Sequence, residues 1–259
     1  MADLQALIFD VDGTLADTER DGHRVAFNQA FAAAGLDWDW SIERYGQLLE
    51  VTGGKERIRF FLEQDYPDTQ LLPSLPGTLK EQIASLHAAK TEHYNRLLSS
   101  NLIPLRPGVL RLLKEARQQG VRLAIATTTT PANVTTLLSS AIAPEATDWF
   151  EVIAAGDIVP AKKPAPDIYH YALNALQLPP EACLAFEDSY NGLLSAQAAG
   201  LKTVITVNGY TQDQDFSGAD FVVDHLGEPE LPFRVLAGDP GGATYFDLSL
   251  AKRLITPTS

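Results

Sequence analysis

One cysteine, Cys183, is present in the 259 residues, so no internal disulfide can form. It sits in the apolar run Cys183-Leu184-Ala185-Phe186, where it reads as a small buried hydrophobe. Basic side chains are also in short supply: 20 Lys and Arg stand against 33 Asp and Glu, a formal net charge of −13. That balance argues against a nucleic-acid-binding surface, which needs clustered cations, and against docking on anionic membranes. It does not exclude a small anionic substrate, because a few inward-facing cations and a metal ion can dominate a pocket. No run approaches the roughly 18 apolar residues of a transmembrane helix. The chemistry-bearing residues begin as early as Asp10, which leads us to expect no signal peptide and a cytoplasmic protein.

Several catalytic signatures are missing as well. Gly53-Gly54-Lys55 lacks the first glycine and the preceding strand of a P-loop. No dinucleotide-binding Gly-x-Gly-x-x-Gly, no Gly-x-Ser-x-Gly elbow and no His-Glu-x-x-His zinc motif occurs. Five scattered histidines and one cysteine give no soft-metal cluster.

What is there is a periodic pattern. Leu4–Phe9 is a short apolar run that reads as a buried strand, ending at Asp10-Val11-Asp12-Gly13-Thr14. Apolar residues then recur at helical spacing, as in Val25, Phe27, Ala30, Phe31 and Ala34, and later from Leu79 to Leu98. After Pro104 the pattern alternates. Helices are expected over 107–119, 131–140, 166–176 and 189–199, and strands over 121–126, 151–155, 183–186, 203–207 and 221–223. Alternation of this kind implies a doubly wound (Rossmann-like) α/β core with a parallel sheet. We therefore expect a core of residues 1–18 plus 100–259, with a helical cap of residues 19–99 inserted after the first strand. The tail from about 226, rich in Gly and Pro, could pack on the core or be partly mobile.

Ligands of open parallel sheets bind beyond the carboxyl ends of the strands. Asp10 and Asp12 follow the first strand, and Thr127 to Thr130 the second. Lys163-Pro164 follows the third strand and its loop, and Glu187-Asp188 the fourth. Asp10, Glu187 and Asp188 offer the oxygen ligands that Mg²⁺ prefers. A carboxylate can also accept a phosphoryl group and release it to water, a role that suits Asp10. Asp12, two residues on, could give a proton to a leaving oxygen and later take one from water. Thr127, at a strand-to-helix junction, and Lys163 suit phosphoryl oxygens, with Lys162 a neighbouring rival. Ser189 reads as a helix N-cap that can coexist with ligation by Asp188.

These residues resemble the haloacid dehalogenase superfamily of phosphohydrolases, whose four motifs appear in order: Asp10-Val11-Asp12-Gly13-Thr14-Leu15, Thr127, Lys163-Pro164-x-Pro166-Asp167 and Glu187-Asp188-Ser189. The resemblance implies Asp10 as nucleophile, Asp12 as general acid/base, Thr127 and Lys163 on the phosphate, and Mg²⁺ on Asp10, the Asp12 carbonyl, Glu187 and Asp188. Asp17-Thr18-Glu19, Gly22-His23-Arg24, Thr52-Gly53-Gly54-Lys55-Glu56-Arg57 and Lys90-Thr91-Glu92 make the chain similar to the CbbY type. That resemblance implies a phosphatase that converts xylulose 1,5-bisphosphate, an inhibitor of Rubisco, to xylulose 5-phosphate. The alternatives are a phosphatase for another small sugar phosphate and a mutase like the related β-phosphoglucomutases. Those mutases carry a histidine where this chain has Gly22, with His23 one position later, and a lysine where it has Thr130.

A bisphosphate also makes physical sense of the cap. Lys55, Arg57 and Lys90 could meet a second phosphate, with Arg57 best suited by its planar fork. Gly53 and Gly54 would let backbone approach closely, Glu19 and His23 could contact sugar hydroxyls, and Thr128 lies beside Thr127. The expected partner is a small phosphorylated sugar, with no nucleic acid or membrane, and a monomer is expected.

Overall fold

The computed structural model describes residues 3–51, 53–69, 71–72, 75–100 and 102–256; Thr52 of the glycine motif lies outside them. The chain divides into two compact units. One is Met1–Asp17 with Pro104–Ser259, and the other is Thr18–Ile103. No helix among the described residues is long and apolar enough to cross a membrane.

The larger unit is built on a seven-stranded sheet: β1 (Ala6–Phe9), β2 (Arg122–Thr127), β3 (Val152–Ala155), β4 (Cys183–Glu187), β5 (Lys202–Thr206), β6 (Phe221–Val223) and β7 (Val235–Ala237). Their order is β3-β2-β1-β4-β5-β6-β7, parallel except for β7, which runs antiparallel on the edge. Every residue of β1 and β4 is buried, as helices on both faces require. Side chains alternate between faces. Ala6, Ile8, Ala124, Ala126, Cys183 and Ala185 face one way and pack with residues of α7 (Asp167–Leu176) and α8 (Tyr190–Ala198). On β1 and β4, Phe9 and Phe186 alternate with that set and stack at 4.5 Å, and Phe246 meets Phe186 edge-on at 5.3 Å. The small residues of the first set let helices approach closely, while the rings fill the other layer.

Most elements fall where the periodicity puts them, with one helix start that differs. The helix expected from Pro107 starts at Val109 as α5 (Val109–Gln118). Gly108 precedes it in the left-handed region (φ 86°), a conformation that cannot belong to a right-handed helix. The tail packs on the core. It supplies β7, the fully buried Phe246 and α9 (Leu248–Ile255), which buries Leu248, Leu250, Ala251 and Ile255 against α5 and β4. The remaining helix of this unit, α6 (Pro131–Ala141), starts after β2, with the Thr130 hydroxyl accepting the Asn133 N–H at 3.3 Å.

The smaller unit is helical: a π-helical turn at Thr18–His23, then α1 (Arg24–Ala33), α2 (Ile42–Leu48), α3 (Gly54–Asp65) and α4 (Leu79–Ser99). Its core is aromatic, with Phe27, Phe31, Trp38, Trp40, Tyr45 and Phe61 in mutual ring contact. A capping box between Thr78 and Glu81 starts α4.

Phe246→Ala tests the tail. Removing a buried ring should lower stability by about 3–5 kcal/mol, read from urea unfolding midpoints. A loss below about 1 kcal/mol would mean the tail is no part of the core.

Candidate active site

The β1–β4 register sets the site. Phe9 lies opposite Phe186, so Asp10 and Glu187 emerge side by side at the carboxyl edge of the sheet. The strands β2 and β3 lie to one side of β1, and β4, β5 and β6 to the other, so the two acids mark the topological switch point. The Asp10 N–H donates to the Phe186 carbonyl at 3.0 Å, which fixes the residue just past the strand. One carboxylate oxygen from each of Asp10, Glu187 and Asp188 lies within 4.8 Å of the others, and all three residues are buried.

Three buried acids repel one another. Burial, reinforced by Asp10 and opposed by Lys163, pushes the Glu187 carboxyl up to about 7. Asp188 is held well above the usual carboxylate range by burial and then by Asp10 and Glu187, against the pull of Arg106. Lys163 answers this charge. Its Nζ donates to Asp10 Oδ1 at 2.7 Å, Glu187 Oε1 at 2.5 Å and the Ala126 carbonyl at 2.9 Å. Burial alone would lower its pKa, but the carboxylates of Asp10 and Glu187 outweigh burial and hold it above the ordinary lysine range. An ammonium has three N–H groups, and these three acceptors use them all. A phosphoryl oxygen can reach Lys163 only by displacing one of them. The rival Lys162 instead pairs with Asp157 at 2.9 Å on the surface.

Asp12 is half-buried in the turn after β1. Gly13 carries φ 82° there, and a Cβ on it would collide with Asp188 Oδ2 and Asn208 Nδ2. Glycine is thus required for both backbone conformation and close approach. Thr127 is buried at the end of β2, and its hydroxyl oxygen accepts the Thr129 N–H at 3.3 Å. Its own O–H proton therefore points elsewhere, available as a donor. Thr128 is exposed beside it.

Residues with no motif signal complete the surroundings. Arg106 is buried and donates to the carbonyls of Gly13, Thr206 (2.8 Å), Val207 (2.5 Å) and Asp224 (2.6 Å), with Asp17 at 3.5 Å. It thereby ties the Asp10 loop to the ends of β5 and β6. Asn208 donates from Nδ2 to Asp188 Oδ2 at 2.7 Å, and the Tyr210 N–H on its Oδ1 at 2.9 Å fixes which way the amide faces. Extending the strand-end rule to β5 would have found Asn208. Tyr169 occupies an apolar position of α7, and its hydroxyl donates to Glu187 Oε1 at 2.5 Å.

The donor set of Asp10, Glu187 and Asp188 is all oxygen, buried and acidic. It fits a hard divalent cation rather than a soft one.

In the smaller unit, Arg57 is buried and not on a solvated face. It donates to the Tyr45 hydroxyl at 2.8 Å, the Leu48 carbonyl at 3.2 Å and the Val51 carbonyl at 3.4 Å. Tyr45 in turn donates to Glu19 at 2.5 Å. Lys90 is also buried, with Nζ 2.7 Å from His23 Nδ1. Burial, then Lys90, Arg57 and His87, hold the His23 pKa well below its ordinary value, so the imidazole is neutral and Lys90 is the donor. Gly54 leaves room for the His87 ring, and Gly53 takes φ 99° ahead of α3. Lys55 is exposed.

Residues 4–200 match the haloacid dehalogenase-like hydrolase family, and the chain belongs to that family. Within it, the chain is 53% identical over 236 residues to protein CbbY of Rhodobacter capsulatus, covering 89% of this chain and 100% of that one. It is 42% identical over 225 residues to a CBBY-like protein of Arabidopsis thaliana, covering 86% and 70%. The crystal structure of CbbY from Rhodobacter sphaeroides in complex with phosphate has a TM-score of 0.72 at 48% identity, covering 86% of this chain and 94% of that one. A mutant of that protein in complex with xylulose-(1,5)bisphosphate gives the same TM-score at 47% identity and the same coverage.

Cation binding should depend on pH. A carboxyl raised to about 7 favours folding while protonated, so its contribution is fully present below about 4.5 and lost as pH rises through about 7. A cation needs the charged forms, so its affinity should tighten over the same window. Calorimetric titration with Mg²⁺ at about pH 5.5 and about pH 8 checks this, and equal affinities would count against the three acids as ligands.

Proposed function

We propose that this phosphatase of the haloacid dehalogenase-like family removes a phosphoryl group from a small phosphorylated sugar through an aspartyl-phosphate on Asp10. The observation that carries the reading is the buried contact of Asp10 Oδ1 with Lys163 Nζ at 2.7 Å, beside two further acids. Lys163 orients the nucleophile before substrate arrives. An Asp10 oxygen attacks phosphorus as the bond to the sugar oxygen breaks, and Asp12 gives that oxygen its proton. Asp12 then takes a proton from water, the hydroxide attacks phosphorus, and the carboxylate of Asp10 is released with inorganic phosphate. Thr127 donates its O–H to a phosphoryl oxygen. Mg²⁺, held by Asp10, Glu187, Asp188 and the Asp12 carbonyl, would supply charge neutralisation at the phosphoryl group when bound.

For the substrate we propose xylulose 1,5-bisphosphate, with xylulose 5-phosphate as product. Support comes from the CbbY relatives and from the complex that one of them forms with this bisphosphate. It also comes from the buried cations of the smaller unit, where Arg57 and Lys90 offer charge for a second phosphate and Lys55 adds an exposed one. Glu19, His23, Thr128 and the backbone at Gly53 and Gly54 complete the proposed substrate contacts.

Asp10→Asn should abolish phosphate release from sugar bisphosphates and from a generic aryl phosphate, by a factor of at least about 10³ in kcat. Turnover equal to the unaltered enzyme would remove the covalent mechanism. Across a panel of sugar mono- and bisphosphates, kcat/KM should favour the pentulose bisphosphate, and Arg57→Ala should erase that preference. Conversion of a sugar 1-phosphate to its isomer without net phosphate release would identify a mutase instead.

A further inference from the structure

The two oxygens of Glu187 have different surroundings. Oε1 accepts from Lys163 Nζ and from the Tyr169 hydroxyl, each at 2.5 Å, which occupies both of its in-plane lone pairs. Oε2 lies nearest the first turn of α8 at Gly192, where a Cβ would collide with it and also with Cδ and Oε1. Tyr169 is fully buried, and its ring packs beside the same ammonium, with Lys163 Nζ 5.3 Å from the centroid. A phenylalanine at this position would fill the same space and keep the ring face towards Lys163. Only the hydroxyl makes a directed bond, and that bond goes to Glu187. The tyrosine oxygen therefore holds Oε1 in place, and Oε2 is the oxygen left for another partner.

We propose that Tyr169 is a positioning residue which, with Lys163, fixes the Glu187 carboxylate so that Oε2 is presented to a divalent cation. This rests on the reading of Asp10, Glu187 and Asp188 as cation ligands. Partners of this kind govern metal affinity by about 10–100-fold when removed. Tyr169→Phe should weaken Mg²⁺ binding roughly tenfold in calorimetric titration, at the low end of that range. The Mg²⁺ concentration for half-maximal activity should rise in parallel. KM for sugar phosphate at saturating Mg²⁺ should stay within about twofold, since Tyr169 touches no proposed substrate group. A Glu187→Gln background supplies the control: adding Tyr169→Phe there should weaken Mg²⁺ no further, because the carboxylate being held is gone.

The two readings can fail separately. Absence of Mg²⁺ binding by the unaltered protein would defeat the assignment of the three acids. Normal binding by the unaltered protein and equal binding by Tyr169→Phe would overturn the inference alone. If Tyr169→Phe does not fold, Gly192→Ala displaces the same carboxylate by another route, since its Cβ would press on Oε2, Cδ and Oε1 together. Unchanged Mg²⁺ affinity in that variant would equally show that the placement of Oε2 does not matter.

Discussion

Charge compensation among buried groups is the constraint around which the larger unit is organised. Three ionised acids cannot share a dry volume unless something positive enters it; otherwise they take up protons. Lys163 enters from the loop after β3 and bonds to acids on two other strands, so one ammonium joins the products of three separate chain segments. Arg106 works from the other side, holding the loop that carries Asp10 and Asp12 to the ends of β5 and β6. Even so the formal count stays negative: two cations face three carboxylates and the neighbouring Asp17. A hard cation and a phosphoryl group together change that balance by little, which suits a centre that must bind an anion and release one.

Uncharged groups complete this arrangement by supplying partners or space. Asn208, Tyr169, the Ala126 carbonyl and the glycines at 13 and 192 each hold or make room for one charged oxygen or nitrogen. The two glycines are informative together. Gly13 has a positive φ that favours glycine anyway, whereas Gly192 sits in an ordinary helical turn. Only the carboxylate lying on it explains why a helix would accept a poor helix former there.

How much of this could be read in the sequence follows from how each feature is encoded. The sheet and its helices were legible because period and length both reported them, as in the fully buried Ala6–Phe9 and the apolar stripe of Val109, Leu112, Leu113 and Ala116. The proximity of Asp10 to Glu187 and Asp188 was legible because strand ends in a parallel sheet share one edge. Tyr169 was not, since an aromatic at a core position of a helix looks like packing. Arg106 was not, since a lone arginine in a linker looks solvated. The tail was hard to read because its contribution is scattered: two buried rings, Phe233 and Phe246, and two short elements separated by Gly and Pro. Arg57 and Lys90 were read as cations for a ligand, but their burial depends on tertiary packing that periodicity does not report.

The position of β1 has a consequence for how the chain acquires its structure. This strand precedes the insert and the other six strands in the chain, yet it lies in the middle of the sheet, between β2 and β4. Both neighbours come from beyond the whole of the smaller unit, and the ring that closes over Phe186 comes later still. Pairings so distant along the chain carry a large loop-closure entropy and form slowly. On a ribosome, an apolar segment of four residues must therefore wait unpaired while the helical insert emerges and can fold ahead of it. The insert would then fold ahead of the strand that precedes it in the chain, the sheet would close around β1 second, and α9 would seal the layer after that.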